Sequence, residues 1–259
     1  MAAMMPLALL GAILIGLSLG LLGSGGSILT VPVLVYLVGQ PEKLAIAGSL
    51  AIVGGVALAG ALPWTLRRSV DWRSVIWFGL PGMLGTSLGA ALSKWVPGAV
   101  QLFLFALVML LAAVMMLRPA PALRAEGRPR SRALIVLDGL GVGALTGLVG
   151  VGGGFLILPA LVLLGGLSMH RAIGTSLWII ALKSFSGFAA YLGVLGSAGL
   201  ALDYRLIALF TAVGAAGSLA GQQLAHRLPQ ALLRRLFAVF LVLMGLFIVA
   251  RTLPGLLPG

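Results

Sequence analysis

The sequence predicts an all-α polytopic membrane protein with about eight hydrophobic segments, arranged as two homologous halves of four segments each. The first observation is composition, since 61% of the 259 residues are hydrophobic and only 8% are charged. Such a chain cannot cover itself with a water-compatible surface, so its outer face must meet lipid. The second observation is a duplication, because residues 23–50 and 150–177 are two copies of one segment.

The hydrophobic segments follow one another along nearly the whole chain. Most of them reach the length of about 20 helical residues that a bilayer requires. We therefore predict a first transmembrane repeat (1–117), a basic cytoplasmic linker (118–132) and a second transmembrane repeat (133–259). The predicted segments cover residues 6–38, 44–66, 73–93, 99–117, 133–165, 171–197, 205–225 and 231–252.

The duplication extends beyond one motif. The two copies align without a gap from Gly23 and Gly150 through Gly60 and Gly187. After a five-residue insertion the register resumes with paired glycines, namely Gly82 with Gly214, Gly85 with Gly217 and Gly89 with Gly221. One ancestral half therefore fills most of the chain twice.

The first segment of each half is predicted to be broken at a glycine-rich loop. Segments 6–38 and 133–165 each have about 33 residues, which as helix span about 50 Å against a hydrocarbon core of roughly 30 Å. Each must fold back, tilt steeply or break. Glycine costs about 1 kcal/mol relative to alanine in a helix, and it clusters at 23–26 and 150–154.

The direction of the two halves depends on these broken segments. One net crossing per segment makes the halves parallel, whereas re-entry or a double crossing makes them inverted. Inverted halves place twelve Lys and Arg residues on the cytoplasmic side and four outside, against ten and six for parallel halves. The positive-inside rule therefore favours inverted repeats.

The glycine breaks are candidates for a substrate site. A helix that begins near Ser27 or Gly154 presents free backbone N–H groups and the positive end of its dipole to an anion. A second repeated element, at 45–49 and 172–176, adds hydroxyl side chains that can donate to an oxyanion. The alternatives are close helix packing by the glycines, and caps or bonds to helix carbonyls by the hydroxyls. The predicted substrate-binding residues of these elements are Gly25, Gly26, Ser27, Ser49, Gly152, Gly153, Gly154, Gly174, Thr175 and Ser176.

Two ionisable residues inside the predicted spans are candidates for a role in transport. Lys183 is well within an apolar run, where an isolated cation costs about 2.5–3.5 kcal/mol. We expect it to bind the anionic substrate; the alternatives are a pair with Asp138, bonds to helix carbonyls or snorkelling. We expect Asp138 to cap its helix near the interface; the alternative makes it the candidate for coupling to a proton or cation.

The net charge of +12 does not indicate nucleic-acid binding, because the basic residues occupy short connections between apolar segments. The absence of cysteine excludes disulfides, thiolate chemistry and cysteine-ligated metals. We expect no cofactor and no metal. The expected partners are a small inorganic or organic anion and the lipid bilayer, and the sequence leaves the oligomeric state open.

The repeated motifs resemble the sulfite exporter TauE/SafE family over nearly the whole chain. Residues 152–154, Pro159 and residues 174–176 match the family pattern well, whereas residues 24–27 and 47–49 depart from it. The resemblance implies transport of sulfur-containing anions, such as sulfite or organosulfonates, across the cytoplasmic membrane.

The resemblance implies a transporter of the inner membrane. From the duplication and from Lys183 we expect a secondary transporter that holds its anion between the two glycine breaks and works by alternating access. A potential that is negative inside favours anion exit by about 2.3 kcal/mol per charge per 100 mV, so export is expected. The alternatives are uptake coupled to protons or cations, and an anion channel. A membrane-embedded enzyme that pairs Ser24 with His170 or His226 is not expected, since no acid is placed to orient the histidine.

Overall fold

The computed structural model describes residues 5–92, 98–117, 131–149, 154–197 and 201–252, and within them every regular element is helical. This confirms the all-α prediction for the described residues. Single π-helical turns follow α2 (Val33–Leu37), precede α5 (Val75–Gly79) and follow α8 (Ala160–Leu164). The helices are α1 (Met5–Leu22), α2 (Gly26–Pro32), α3 (Glu42–Leu66), α4 (Trp72–Ser74), α5 (Leu80–Leu92), α6 (Gly98–Leu117), α7 (Arg132–Val149), α8 (Gly154–Pro159), α9 (Met169–Ser197), α10 (Tyr204–Arg227) and α11 (Gln230–Thr252).

Four helical stretches of the described chain are long and apolar enough to cross a bilayer: Leu44–Leu66, Met169–Ala189, Tyr204–Arg227 and Gln230–Ala250. Shorter apolar helices, among them Pro6–Leu22 and Ala106–Leu117, accompany them. Pro6–Leu22 is shorter than its predicted segment because that segment is interrupted after Leu22. Each of the eight predicted segments coincides with one helix or with a series of helices.

The chain divides into two compact units. The first unit comprises Met1–Asp71 and His170–Leu228, and the second comprises Trp72–Met169 and Pro229–Gly259. Each unit therefore takes helices from both predicted repeats. Most of the predicted linker (118–132) lies outside the described residues.

In the first unit the broken segment folds back on itself. Helix α1 ends at Leu22, and Gly23 has a φ of +72°, a conformation that glycine adopts without steric cost. A methyl group on Gly26 would collide with the carbonyl oxygen of Ile15, and one on Gly11 would lie 2.9 Å from Val33 Cγ1. The chain after the break therefore runs antiparallel to α1. Of the alternatives predicted for this segment, the structure shows a break followed by folding back.

Helix α3 of the first unit packs against α9 in the antiparallel direction. A methyl group on Gly174 would lie 2.8 Å from Trp64 Cβ, and one on Gly187 would lie 3.4 Å from Leu50 Cδ1. Helix α10 instead runs parallel to α3, because Gly55 contacts Thr211 and Gly60 contacts Ser218. The chain direction thus alternates between α9 and α10 across their connection.

Helix α10 also packs closely and in parallel on α1. A methyl group on Gly16 would collide with the carbonyl oxygen of Gly214, and one on Gly20 with that of Ser218. A methyl group on Gly217 would lie 2.7 Å from the carbonyl oxygen of Ile13. Glycine is needed at these positions because the two backbones touch without intervening side chains.

The second unit contains the corresponding close pair, α7 on α5. A methyl group on Gly139 would collide with the carbonyl oxygen of Phe78, and one on Gly143 with that of Gly82. The two helices therefore run in parallel. Gly139 and Gly143 are therefore packing positions.

Helices α6 and α11 of the second unit are antiparallel. A methyl group on Gly245 would lie 2.9 Å from Leu110 Cδ2, and Arg234 Nη2 donates to the carbonyl oxygen of Met115 at 3.2 Å. Position 234 is thus level with the C-terminal end of α6, and position 245 with its middle.

Backbone details recur at positions that the sequence duplication pairs. The π-helical turns Val33–Leu37 and Ala160–Leu164 are 127 residues apart, as are Gly23 and Gly150. Gly39 and Gly166, paired by the same offset, have φ values of +79° and +68°. The two copies of this segment therefore end in the same local conformation.

Candidate functional site

The first glycine break is buried and is held by the second copy of the hydroxyl-bearing element. Residues 22–28 are all buried. Ser176 Oγ donates to the carbonyl oxygen of Gly23 at 2.9 Å, and it lies 2.9 Å from the carbonyl oxygen of Ile173 as well. A methyl group on Gly23 would lie 2.7 Å from Ser176 Oγ. The structure thus brings together two elements that the sequence places in different halves.

Helix α9 is fixed in this position by two further hydrogen bonds, one with the end of α3 and one with the connection that follows α3. Thr175 Oγ1 accepts a bond from the backbone N–H of Asp71 at 2.9 Å, and it donates to the carbonyl oxygen of Arg171 at 2.7 Å. Trp178 Nε1 donates to Thr65 Oγ1 at 2.7 Å. Gly174 lies between the residues that make these two bonds, and it packs against Trp64 without a side chain of its own. Residues 174–176 therefore dock α9 on its neighbours.

The remaining hydroxyls among the predicted binding residues bond to nearby carbonyls. Ser27 Oγ donates to the carbonyl oxygen of Ser24 at 2.9 Å, and Ser49 Oγ donates to that of Ile46 at 2.7 Å. These are the bonds to the local backbone that the sequence left open as an alternative. Their role towards a substrate stays a prediction.

The structure describes some of the predicted glycines of the two breaks and not others. Gly25 has helical dihedral angles, with φ of −64° and ψ of −33°, and Gly26 begins α2 against Ile15 and Leu19. Gly154 is buried and begins α8. Gly152 and Gly153 lie outside the described residues.

Lys183 is buried, with 8% of its surface exposed, in the interior of α9. It follows Ser176 by seven residues, which is about two helical turns, so both lie on the same face at a separation of about 10 Å along the axis. That face contacts the glycine break at Gly23. A buried cation of the first unit thus lies on the helix face that holds the break.

Asp138 belongs to the second unit, whereas Lys183 belongs to the first. It is half-buried and is the seventh residue of α7, which begins at Arg132. The capping interpretation is therefore wrong, because a capping side chain must lie at the first turn. Its role as a coupling residue stays a prediction.

Sequence reasoning missed an aromatic cluster at the end of the first unit. The ring of Trp64 lies 4.1 Å from that of His226 and 6.2 Å from that of His170, measured between centroids. His170 Nε2 lies 3.2 Å from the carbonyl oxygen of Ala225. The spacing of four between Gln222 and His226 was the available signal, but nothing in the sequence linked these residues to Trp64 on a distant helix.

The chain is similar to known proteins over nearly its whole length. A family model described as "Sulfite exporter TauE/SafE" matches residues 8–248. A "Probable membrane transporter protein" of Xylella fastidiosa is 34% identical over 254 residues, covering 92% of each chain. The "Probable membrane transporter protein YdhB" of Bacillus subtilis is 24% identical over 233 residues, covering 88% of this chain and 92% of that one. No solved structure matches the chain.

Proposed function

Because the chain belongs to the sulfite exporter TauE/SafE family of membrane transporters, we propose that it exports small sulfur-containing anions across the cytoplasmic membrane by alternating access. The family consists of multi-pass transporters and not of enzymes. An anionic substrate follows from the family; sulfite, a sulfonate or a related oxyanion is the finer part of the proposal.

One observation carries this proposal, namely the buried, interrupted backbone at residues 23–25, where Ser176 bonds to Gly23. Inside a membrane protein, a chain interruption is stable only where protein or a water-filled cavity surrounds it. Transporters use such interruptions to bind substrate at mid-membrane. The buried Lys183 on the same helix face supplies the positive charge that an anion requires.

The proposal includes two inverted halves. Helices α3 and α9 are paired by the duplication and pack antiparallel within the first unit. Helices α6 and α11 are also paired by it and pack antiparallel within the second unit. Parallel halves would give these equivalent helices the same direction, so the packing supports the inverted arrangement.

Export agrees with the electrical driving force. Anion exit from a negative interior gains about 2.3 kcal/mol per charge per 100 mV, so no coupling ion is required. Uptake would need a co-transported cation, for which Asp138 is the candidate carboxylate.

The test is flux from proteoliposomes loaded with sulfite or taurine under an imposed potential. We expect saturable efflux that is fastest when the potential favours anion movement. Lys183→Met should reduce this efflux at least about tenfold, since it removes the buried charge. The matched control is Arg171→Met, which removes an exposed charge from the same helix and should leave efflux within about twofold.

Each other outcome has a separate meaning. A current that rises without saturation would identify a channel, and uphill uptake driven by a proton or sodium gradient would identify a coupled importer. Wild-type efflux by Lys183→Met would remove the lysine from the mechanism.

A further inference from the structure

Five buried side-chain atoms of the first unit have no hydrogen-bond partner among the described residues: Ser24 Oγ, Trp64 Nε1, Ser218 Oγ, Gln222 Nε2 and His226 Nε2. Ser24, Trp64 and Ser218 are fully buried, and Gln222 is 3% exposed. Buried polar atoms are nearly always bonded in proteins, so an unpartnered group is expected to serve a ligand or ordered water.

Three of these residues form one stripe on α10. Ser218, Gln222 and His226 follow one another at intervals of four residues, so they lie on the same helix face. That face packs on α3, because Ser218 Oγ would collide with a methyl group on Gly60 and the ring of His226 lies 4.1 Å from that of Trp64. Trp64 is one turn beyond Gly60, so the indole reaches the level of Gln222 and His226.

The same stripe extends towards the glycine break. A methyl group on Gly20 would collide with the carbonyl oxygen of Ser218, and one on Gly221 with Leu17 and Leu21 at 2.5 and 2.9 Å. Gly23, which precedes Ser24, lies against Ile173 and Ser176 of α9, and Trp64 lies against Gly174 in the same turn of that helix. The glycine break and the C-terminal end of α3 therefore meet the same part of α9.

The chemistry of these atoms favours an anion. The indole N–H of Trp64 and the amide nitrogen of Gln222 can only donate, and serine hydroxyls donate as well. None of the five side chains is acidic. Arg67, the C-cap of α3, follows Trp64 by three residues and adds a positive charge at this end of the unit. An anion with several acceptor oxygens can accept hydrogen bonds from all of these donors at once.

We propose that Trp64, Gln222 and His226, together with Ser24 and Ser218, form the hydrogen-bonding site for the transported sulfur oxyanion. The inference rests on the proposed function and assigns recognition to these side chains. It differs from the sequence-based prediction, whose hydroxyl groups at 27, 49, 175 and 176 donate to backbone carbonyls.

The test measures the Kd of the purified full chain for sulfite and for methanesulfonate by calorimetry, and the half-saturating concentration of efflux for the same anions. Trp64→Phe keeps an aromatic ring and removes the N–H, and Gln222→Met keeps the length and removes the amide. Loss of a hydrogen bond to a charged group should raise Kd about tenfold or more for each variant. The matched control is Gln223→Met, an exposed neighbour, whose Kd should equal that of the wild type.

Thermal unfolding of each variant without anion establishes that it is folded, and Trp64→Phe decides the question if Gln222→Met does not fold. If the folded variants Trp64→Phe and Gln222→Met keep the Kd and the half-saturating concentration of the wild type, the proposed site is wrong. Saturable efflux by the wild-type protein would still support the proposed function. Failure of the wild type to bind or move either anion would overturn both.

Discussion

The close helix pair α1 and α10 of the first unit and the pair α7 and α5 of the second have the same packing but different chemistry. Gly16 contacts Gly214 in one pair and Gly143 contacts Gly82 in the other. The duplication pairs Gly214 with Gly82, and its ungapped extension pairs Gly16 with Gly143. The polar residues that follow on α10 do not recur on α5.

The difference is clearest at two equivalent hydroxyls. Thr86 Oγ1 donates to the carbonyl oxygen of Gly82 at 2.7 Å, whereas Ser218 Oγ, at the paired position, has no partner among the described residues. Gln222 is paired with Ala90 in the sequence. Glycine packing thus supplies a scaffold common to both pairs. Among the described residues, unpartnered buried side-chain atoms occur on α10 and not on α5.

The largest effect should come from filling the glycine contacts. Gly16→Ala and Gly143→Ala each force a methyl group against a carbonyl oxygen, and overpacking of this kind costs about 1–3 kcal/mol or more. We expect both to lower the thermal unfolding temperature of the detergent-solubilised protein by a similar amount.

Gly141→Ala is the control for these variants, because its methyl group would meet nothing within 4 Å. It should be neutral or slightly stabilising, as alanine is the better helix former. Equal stability for all three variants would contradict the close backbone contacts at Gly16 and Gly143, and a large difference between Gly16→Ala and Gly143→Ala would contradict the equivalence of the two helix pairs.

A smaller effect is expected from the hydroxyl that holds the glycine break. Ser176→Ala removes the bond to the buried carbonyl oxygen of Gly23, which should cost about 1–2 kcal/mol and reduce efflux. Ser49→Ala, at the equivalent position, removes a bond to its own helix only and should cost at most about 0.5 kcal/mol. Measured unfolding free energies that are indistinguishable would mean that Ser176 does not stabilise the break.

Gly39→Ala and Gly166→Ala should each cost about 1 kcal/mol, because both glycines have positive φ and the space around each is open. The cost is therefore backbone strain alone, and Asn should recover part of it at either position. Thermal unfolding of the four variants checks this. A large loss at one site only would break the equivalence of the two segments.

The smallest effects should have opposite signs. Without anion, Ser218→Ala removes an unpartnered buried hydroxyl and should leave stability unchanged or raise it by up to about 1 kcal/mol. Thr86→Val removes a bonded hydroxyl of the same shape and should lower stability by about 0.5–1 kcal/mol. Denaturant or thermal unfolding in one detergent gives both values, and destabilisation by Ser218→Ala would show that this hydroxyl already has a partner.

Much of the fold could be predicted because it depends on composition and on local periodicity. The eight hydrophobic segments and the interruption at Gly23 were predicted in this way. The π-helical turns were not predicted, although two of them lie at positions that the duplication pairs. Asp138 was misjudged as a possible cap because the start of α7 at Arg132 depends on which residues begin the helix, and sequence periodicity places such boundaries poorly.

The candidate site could be predicted only in part, because its residues come from distant stretches of the chain. Gly23 belongs to the predicted glycine break and Ser176 to the predicted binding residues, yet their hydrogen bond joins positions 153 residues apart. Trp64 carried no signal, since an aromatic residue in an apolar helix is ordinarily a packing residue. Its significance depends on the buried indole N–H having no partner among the described residues.

The sequence alone established that the protein lies in a lipid bilayer, that it is helical, that it is duplicated and where the glycine interruption falls. Each of these follows from side-chain polarity, or from the cost of glycine in a helix, within a short stretch of chain. Only the tertiary structure decided which helices pair, in which direction, and which buried donors are left for a ligand. These depend on contacts between residues far apart in the chain, where a hydroxyl such as Ser176 finds a carbonyl and one such as Ser218 does not.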